Sequence, residues 1–212
     1  MYKKYVKRLF DIAISGIALI VLSPILIVLI ILGGIFMHGN PFFVFPRAGK
    51  DGRAFNLIKF RSMAELKDEN GQYLPDKIRL NKYGRIIRST SLDELPELIN
   101  IFLGHMSIVG PRPLPCGYLD YYTEEEKHRH DVRPGLTGLA QINGRNSISW
   151  EARFQYDLEY VNNVSFKNDV KIILGTIGKV FRREDIGEGA ATVKSLFEVR
   201  SKDDKREDAK DQ

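Results

Sequence analysis

Residues 12–37 carry no charged side chain, and a Ser23-Pro24 pair interrupts them near the middle. A run this apolar belongs in a bilayer. As one straight helix it would measure about 39 Å against roughly 30 Å of hydrocarbon, enough to span. The flanks argue against spanning. Lys3, Lys4, Lys7 and Arg8 precede the run, and Arg47, Lys50, Arg53, Lys59 and Arg61 follow it. Basic loops stay cytoplasmic, so a spanning helix would have to translocate one of the two clusters. Pro24 offers another solution, because it removes a backbone hydrogen bond and kinks a helix. The Ser23 hydroxyl can satisfy the carbonyl that is freed. Each half then measures roughly 18–21 Å, too short to cross alone. The reading is a re-entrant helix–break–helix that enters and leaves by the cytoplasmic leaflet, with a kinked single-pass helix as the alternative. A secretory signal fits less well, since the run is too long and no small-x-small cleavage site follows.

Of 212 residues, roughly 160 remain for one globular domain once the anchor and a charged tail are set aside. The division expected is an anchor over 1–40, a cytoplasmic domain over 41–187 and a tail over 188–212, disordered from about 201. From Ser201 onward only Ala209 is apolar, so the tail cannot bury enough surface to fold. Net charge is +5 and the pI about 9.2, which beside a membrane segment points to anionic lipid or phosphorylated substrates. The one cysteine, Cys116, excludes an internal disulfide and suits a reducing compartment. Zinc spacing of Cys and His is absent, and His128 and His130 read as part of a solvated, charged helix face.

Pro41–Phe45 and Ala54–Phe60 read as strands joined by hairpin-turn residues 48–52, with Arg47 and Lys59 placed to face an anion. Residues 76–87 have weak helical spacing. Ser91 opens an apolar helix through Leu95, Leu98, Ile99 and Phe102, stopped by Gly104. Gly110-Pro111-Arg112-Pro113 is rigid loop, and Thr123 to Glu126 is a capping box. Residues 133–145 read as mostly loop, with a short strand at 139–142. Ser149 caps a helix with Trp150, Phe154, Leu158 and Val161 on one face. Phe166–Phe181 forms another, apolar on one side, which could lie on the bilayer or pack on the domain. The fold class expected is α+β, predominantly helical: an N-terminal re-entrant membrane helix, a short β-hairpin and amphipathic surface helices.

The pair Asp93-Glu94 carries the chemistry. Its structural reading is a capping box, Ser91-x-x-Glu94, with acids favoured by the helix dipole. Pro96, tolerated only in a first turn, moves the cap to Asp93 or bends the helix. Either way the dipole would keep Asp93 ionised. Arg85 and Arg88 precede the pair, and Arg112 follows in a rigid loop. Cations around an ionised Asp suit a site that handles phosphate. Such an Asp can attack phosphorus, and a hard cation such as Mg²⁺ would screen carboxylate from phosphate.

Six ordered segments then match one pattern: Lys7-Arg8-x-Phe10-Asp11, Ser23-Pro24, Lys59-Phe60-Arg61-Ser62-Met63, Ser91 to Pro96, Gly110 to Pro113, and Arg133 to Arg145. Together they resemble the bacterial sugar transferases, or monotopic phosphoglycosyl transferases, over residues 1 to about 185. The chain is similar to the minimal form without extra N-terminal membrane helices, and most similar to members that transfer phospho-N,N'-diacetylbacillosamine and initiate protein glycosylation. The resemblance implies a reaction in which Asp93 attacks the β-phosphate of a UDP-sugar, expected to be an N-acetylated amino sugar, and releases UMP. The phosphosugar would then pass to undecaprenyl phosphate on the cytoplasmic face of the bacterial inner membrane, initiating glycoconjugate or polysaccharide biosynthesis. It also implies that Glu94 shares catalysis and Mg²⁺ binding with Asp93. Lys59, Arg88, Arg112 and Arg145 would bind substrate, Ser23 and Pro24 would form the membrane break, and Lys7 and Arg8 would meet lipid headgroups. The partners implied are UDP-sugar, undecaprenyl phosphate, the lipid bilayer and later glycosyltransferases of the pathway. Nucleic acid is not among them, since no recognition helix gathers the basic residues. A non-enzymatic module binding anionic lipid or nucleotide is the competing reading. It would need the basic residues but not Asp93.

Overall fold

The computed structural model describes residues 1–144, 148–182 and 195–201. Helix α1 (Lys7–Val21) and helix α2 (Ser23–Phe36) meet at the expected break. Pro24 has no N–H to offer Ile20, and Ser23 Oγ donates to that carbonyl at 2.7 Å. The helical stretches Tyr2–Val21 and Ser23–Phe36 are bent by 65°. Among the described residues no single helix is long and apolar enough to cross a membrane, but this bent pair has the length and composition to do so. The apolar side chains at the bend are left uncovered: Ile17, Ile20, Val21 and Ile25 are all exposed.

Both ends of the bent pair are tied to the domain. At the start, Lys7 Nζ lies 2.7 Å from Asp169 Oδ2. Arg8 donates to the carbonyls of Ile101 and Phe102 at 2.6 and 2.8 Å. The buried Asp11 carboxylate accepts from Ser107 Oγ and the Ile108 N–H, both at 3.0 Å. At the far end, Tyr83 Oη donates to the Leu29 carbonyl at 3.0 Å and Asn81 Nδ2 to that of Phe36 at 2.9 Å.

Strands β1 (Phe42–Ala48) and β2 (Ala54–Phe60) form the antiparallel hairpin, with Phe43 opposite Lys59 and Arg47 opposite Phe55. That register puts Arg47 and Lys59 on one face. The weak helix expected over 76–87 is two pieces, α3 (Asp76–Arg79) and α4 (Lys82–Ser89). Asn81 separates them because its side chain caps α4, accepting from the Gly84 N–H at 2.9 Å. Helix α5 (Glu97–Leu103) ends at Gly104, as the sequence indicates.

Strands β3 (Ser107–Val109) and β4 (Gly135–Thr137) pair in parallel. The strand expected at 139–142 is therefore misplaced. Those residues form helix α7 (Leu139–Ile142), and the pairing segment lies four residues earlier, where Gly135 gives the backbone room to reach Gly110. The Thr123–Glu126 capping box is present with both reciprocal bonds and opens α6 (Glu124–Lys127). Helix α8 (Trp150–Asn162) is capped by Ser149. Helix α9 (Phe166–Arg182) buries Ile172 and Asp169 and leaves Phe166, Val170, Leu174 and Ile177 exposed. It packs on the domain and also presents an apolar stripe outward.

Among the described residues the core forms four clusters. One, built on Leu57, Leu98, Ile101 and Met106, joins the hairpin to α5 and receives Ala18 and Leu19 of α1 and Leu22 at the break. The anchor is thus packed into the domain rather than hung from it. Another, around Leu114, Tyr118, Trp150 and Phe154, is completed by Leu196 from a helical turn at 196–201. The disordered tail expected beyond Ser201 lies outside the described residues.

Candidate active site

The Ser91-x-x-Glu94 cap does not form. Ser91 sits in the left-handed region, φ 56°, and its side chain caps nothing. Leu92–Glu94 make one tight turn, and α5 starts only after Pro96. Proline cannot supply the N–H that a helix begun at Ser91 would need, so helix and acid pair separate. Freed from capping, Glu94 turns toward cations.

Glu94 Oε1 lies 2.7 Å from Lys59 Nζ and 3.0 Å from Arg112 Nη2. Lys59 also reaches Glu97 Oε1 at 3.0 Å, bridging two carboxylates. Burial pushes Glu94 upward, but Arg112 and Lys59 outweigh it and hold its pKa below the usual carboxylate range. Glu97 is the more deeply buried partner of the bridge. Burial raises its pKa despite Lys59, and the Glu94 charge adds to the rise. The two carboxylates share one ammonium, and the ionised form belongs to Glu94.

Asp93 differs from both. Its carboxylate makes no hydrogen bond or ion pair among the described residues. Burial and the Glu94 charge push its pKa up to about 6, against the pull of Lys59, Arg88 and Arg112. The helix dipole expected to keep it ionised is absent, because α5 begins four residues later. Its unengaged oxygens, with Glu94 Oε2, form a small set of hard donors. That suits Mg²⁺, which takes one or two carboxylates and completes its shell with water and phosphate oxygens. Among the described residues no group of three or more His, Cys, Asp and Glu gathers as a closed metal cage.

Two more segments place cations. Gly84 lets α4 approach the chain after β2 so closely that a Cβ there would fall 1.9 Å from the Ser62 carbonyl oxygen. One turn on, Arg88 Nε donates to Ser62 Oγ at 2.8 Å. The segment Lys59–Met63 thus gives Lys59 to the acid pair and Ser62 to Arg88. Arg47 stacks 4.4 Å over the Phe45 ring with its Nε buried and unpartnered. Burial and the neighbouring Arg112 charge lower its pKa.

The structure therefore brings Asp93, Glu94, Lys59, Arg88 and Arg112 together. Arg145 lies outside the described residues. Lys7 and Arg8, expected against lipid headgroups, instead have protein partners, Asp169 and the end of α5, and Lys3 and Lys4 are the exposed cations of that cluster. His130, expected on a solvated face, is buried. Its Nδ1 lies 2.9 Å from the Gly49 carbonyl, and burial with the Arg129 charge pushes its pKa down to about 4. Sequence reasoning missed Glu97 and the buried pair of Arg129 and Asp157. A signal for Asp157 existed: it continues the buried stripe of Trp150, Phe154 and Val161, where an acid needs a partner.

The model of the bacterial sugar transferase family matches residues 2–183. The chain is 48% identical over 181 residues to the sugar transferase EpsL of Bacillus subtilis, covering 85% of this chain and 89% of that protein. It is 40% identical over 185 residues to a UDP-glucose:undecaprenyl-phosphate glucose-1-phosphate transferase of Klebsiella pneumoniae, covering 82% of this chain but 40% of the relative. An undecaprenyl-phosphate galactose phosphotransferase of Salmonella typhimurium is 36% identical over 202 residues, with 85% and 41% covered. The chain thus spans about two fifths of these last two enzymes. The extent of the family match, over the same segments that build the cation-lined acid pair, leads to one conclusion: this chain belongs to the bacterial sugar transferase family.

Proposed function

We propose that this protein transfers a sugar 1-phosphate from a UDP-sugar to undecaprenyl phosphate at the cytoplasmic face of the inner membrane, through a phosphosugar intermediate on Asp93. One observation carries the reading. Every carboxylate near Asp93 is bound to a cation, while Asp93 itself is unpaired and surrounded by cations one shell away. An acid held in this way is free to act as a nucleophile. Its oxygen forms a bond to the β-phosphorus, the bond to UMP breaks, and UMP leaves with the electron pair. A phosphate oxygen of the lipid then attacks the same phosphorus and displaces Asp93. Arg88, Arg112 and Lys59 stabilise the charge on the phosphoryl oxygens. Asp93 and Glu94 would hold Mg²⁺, which would neutralise the diphosphate. The relatives' names support a UDP-sugar donor and an undecaprenyl-phosphate acceptor.

The bent helix pair supports a re-entrant membrane arrangement. Both ends of the bent helix pair are bound to one domain, and apolar side chains are uncovered along both helices, from Leu9 and Ile17 to Ile31 and Ile35. A re-entrant anchor places Asp93 where a soluble donor and a lipid acceptor both reach it. Without acceptor, the detergent-solubilised protein with Mg²⁺ should release about one UMP per protein from the correct UDP-sugar. Asp93→Asn should release none. UMP release that strictly requires the lipid acceptor would replace the covalent route with a ternary complex. A panel of UDP-N-acetylated amino sugars, UDP-glucose and UDP-galactose identifies the donor. The amino sugar is the expectation carried by resemblance, and the other two are carried by the relatives' names.

A further inference from the structure

The buried ion pair of Arg129 and Asp157 lies away from the acid pair, yet one bond links it to the site. Arg129 Nη2 donates at 2.8 Å to the backbone carbonyl of Arg112. We propose that Arg129, held by Asp157, is a positioning residue that fixes the Arg112 carbonyl and so aims the Arg112 guanidinium at Glu94. This rests on the phosphotransfer reading above.

The loop around Arg112 is held at nearly every residue. Gly110 N–H donates to the Thr137 carbonyl at 2.9 Å, and the Gly135 N–H donates to the Pro111 carbonyl at 2.9 Å. A Cβ at Gly110 would fall 2.4 Å from the Arg133 carbonyl oxygen, so the backbone is wedged there. On the far side, Ala48 N–H donates to the Leu114 carbonyl at 3.0 Å. These anchors are backbone to backbone. Arg112 lies between them, and its carbonyl is held by a side chain.

That side chain is itself fixed. Arg129 and Asp157 have side chains only 2% and 1% exposed. Arg129 Nε and Nη2 both converge on Asp157 Oδ2, at 3.0 and 2.7 Å, and Asp157 Oδ1 is buried without a hydrogen bond. A pair serving stability alone would use both oxygens in the parallel fork that guanidinium and carboxylate favour. Here Nη2 is turned to serve the carboxylate and the Arg112 carbonyl together. Apolar residues of similar volume would stabilise such an interior as well or better. They could not orient a carbonyl.

The test uses the full chain in membrane mimetic, reading single-turnover UMP release. Lysine has one compact ammonium and cannot hold Asp157 and the carbonyl in fork geometry. Arg129→Lys should lower the rate roughly tenfold, as expected for loss of a charged hydrogen bond. Asp157→Asn, which keeps shape and leaves Arg129 unpaired, should act in the same direction. In an Arg112→Ala background the Arg129→Lys change should cost less than about twofold, because its target is gone. Equal losses with and without Arg112, or full activity in a folded Arg129→Lys protein, would each overturn the proposal. Loss of fold in both variants would assign the pair to stability alone and overturn it too. If the wild-type protein releases no UMP from any UDP-sugar, the functional reading fails instead.

Discussion

Asp93, the nucleophile of the proposed reaction, is an unpaired carboxylate, and its surroundings set two measurable consequences. Only the ionised form attacks phosphorus, so UMP release should fall as pH drops below the Asp93 pKa, which lies at about 6 before any Mg²⁺ binds. The same shift bears on stability. The folded-state pKa lies above the ordinary value of 3.8, so folding favours the protonated acid. This contribution is complete below about pH 4 and lost as pH rises through about 6. Asp93→Asn should therefore be inactive yet melt at higher temperature than the parent at pH 8, with the gap closing toward pH 4. A lower melting temperature at pH 8 would contradict the electrostatic account. At this scale the sequence was partly legible. The acid pair and Lys59, Arg88 and Arg112 stood out by type and order. Which acid is free could not be read, because Glu94 and Glu97 compete for Lys59 only after β2 and α5 are packed together. The roles of Lys7 and Arg8 were also hidden, since Asp169 lies 162 residues from Lys7, and the Ile101 and Phe102 carbonyls lie 93 and 94 residues from Arg8.

At the scale of elements, the break between α1 and α2 is the feature most directly written in the sequence. Proline removes one donor, and the preceding serine satisfies the freed carbonyl. Replacing Ser23-Pro24 by Ala-Ala should restore helix continuity and shift some molecules to a spanning form. The readout is labelling of single cysteines at Lys4 and Lys50, with Cys116 replaced, by an impermeant thiol reagent outside the cytoplasmic membrane. In the parent both positions should be protected, and in the Ala-Ala variant position 4 should become reactive. Labelling of position 4 in the parent would make the anchor a single-pass helix. The strand misplaced at 139–142 shows the converse. Short segments of three or four residues obey their neighbours more than their own pattern. Here the pairing of β4 with β3 fixed the extended residues at 135–137.

At the scale of the whole molecule, the helical turn at 196–201 packs back on the domain. Leu196 is fully buried in the aromatic cluster beneath the Arg112 loop, and Phe197 packs against Tyr118 and Tyr121 with ring centroids 4.8 Å away. Arg200 binds Glu126 at 2.6 Å and the Tyr121 carbonyl at 2.9 Å. This turn lies beyond the stretch matched by the family model. Ending the chain after residue 194 should cost about 2–3 kcal/mol from Leu196 alone. It should appear as a lower denaturation midpoint, and an unchanged midpoint would mean that the turn adds nothing. By itself the sequence determined what local chemistry can determine: the apolar helix pair and its break, the hairpin, the caps at Thr123 and Ser149, and the residue types of the proposed phosphate-handling site. Tertiary structure alone decided which charges meet. It bound Lys7 to Asp169, Asp11 to β3, Arg129 to Asp157, and Glu94 to Lys59 and Arg112. The physical reason is that a charge can remain in a low-dielectric interior only with a partner, and the partner is supplied by packing between segments far apart in the chain.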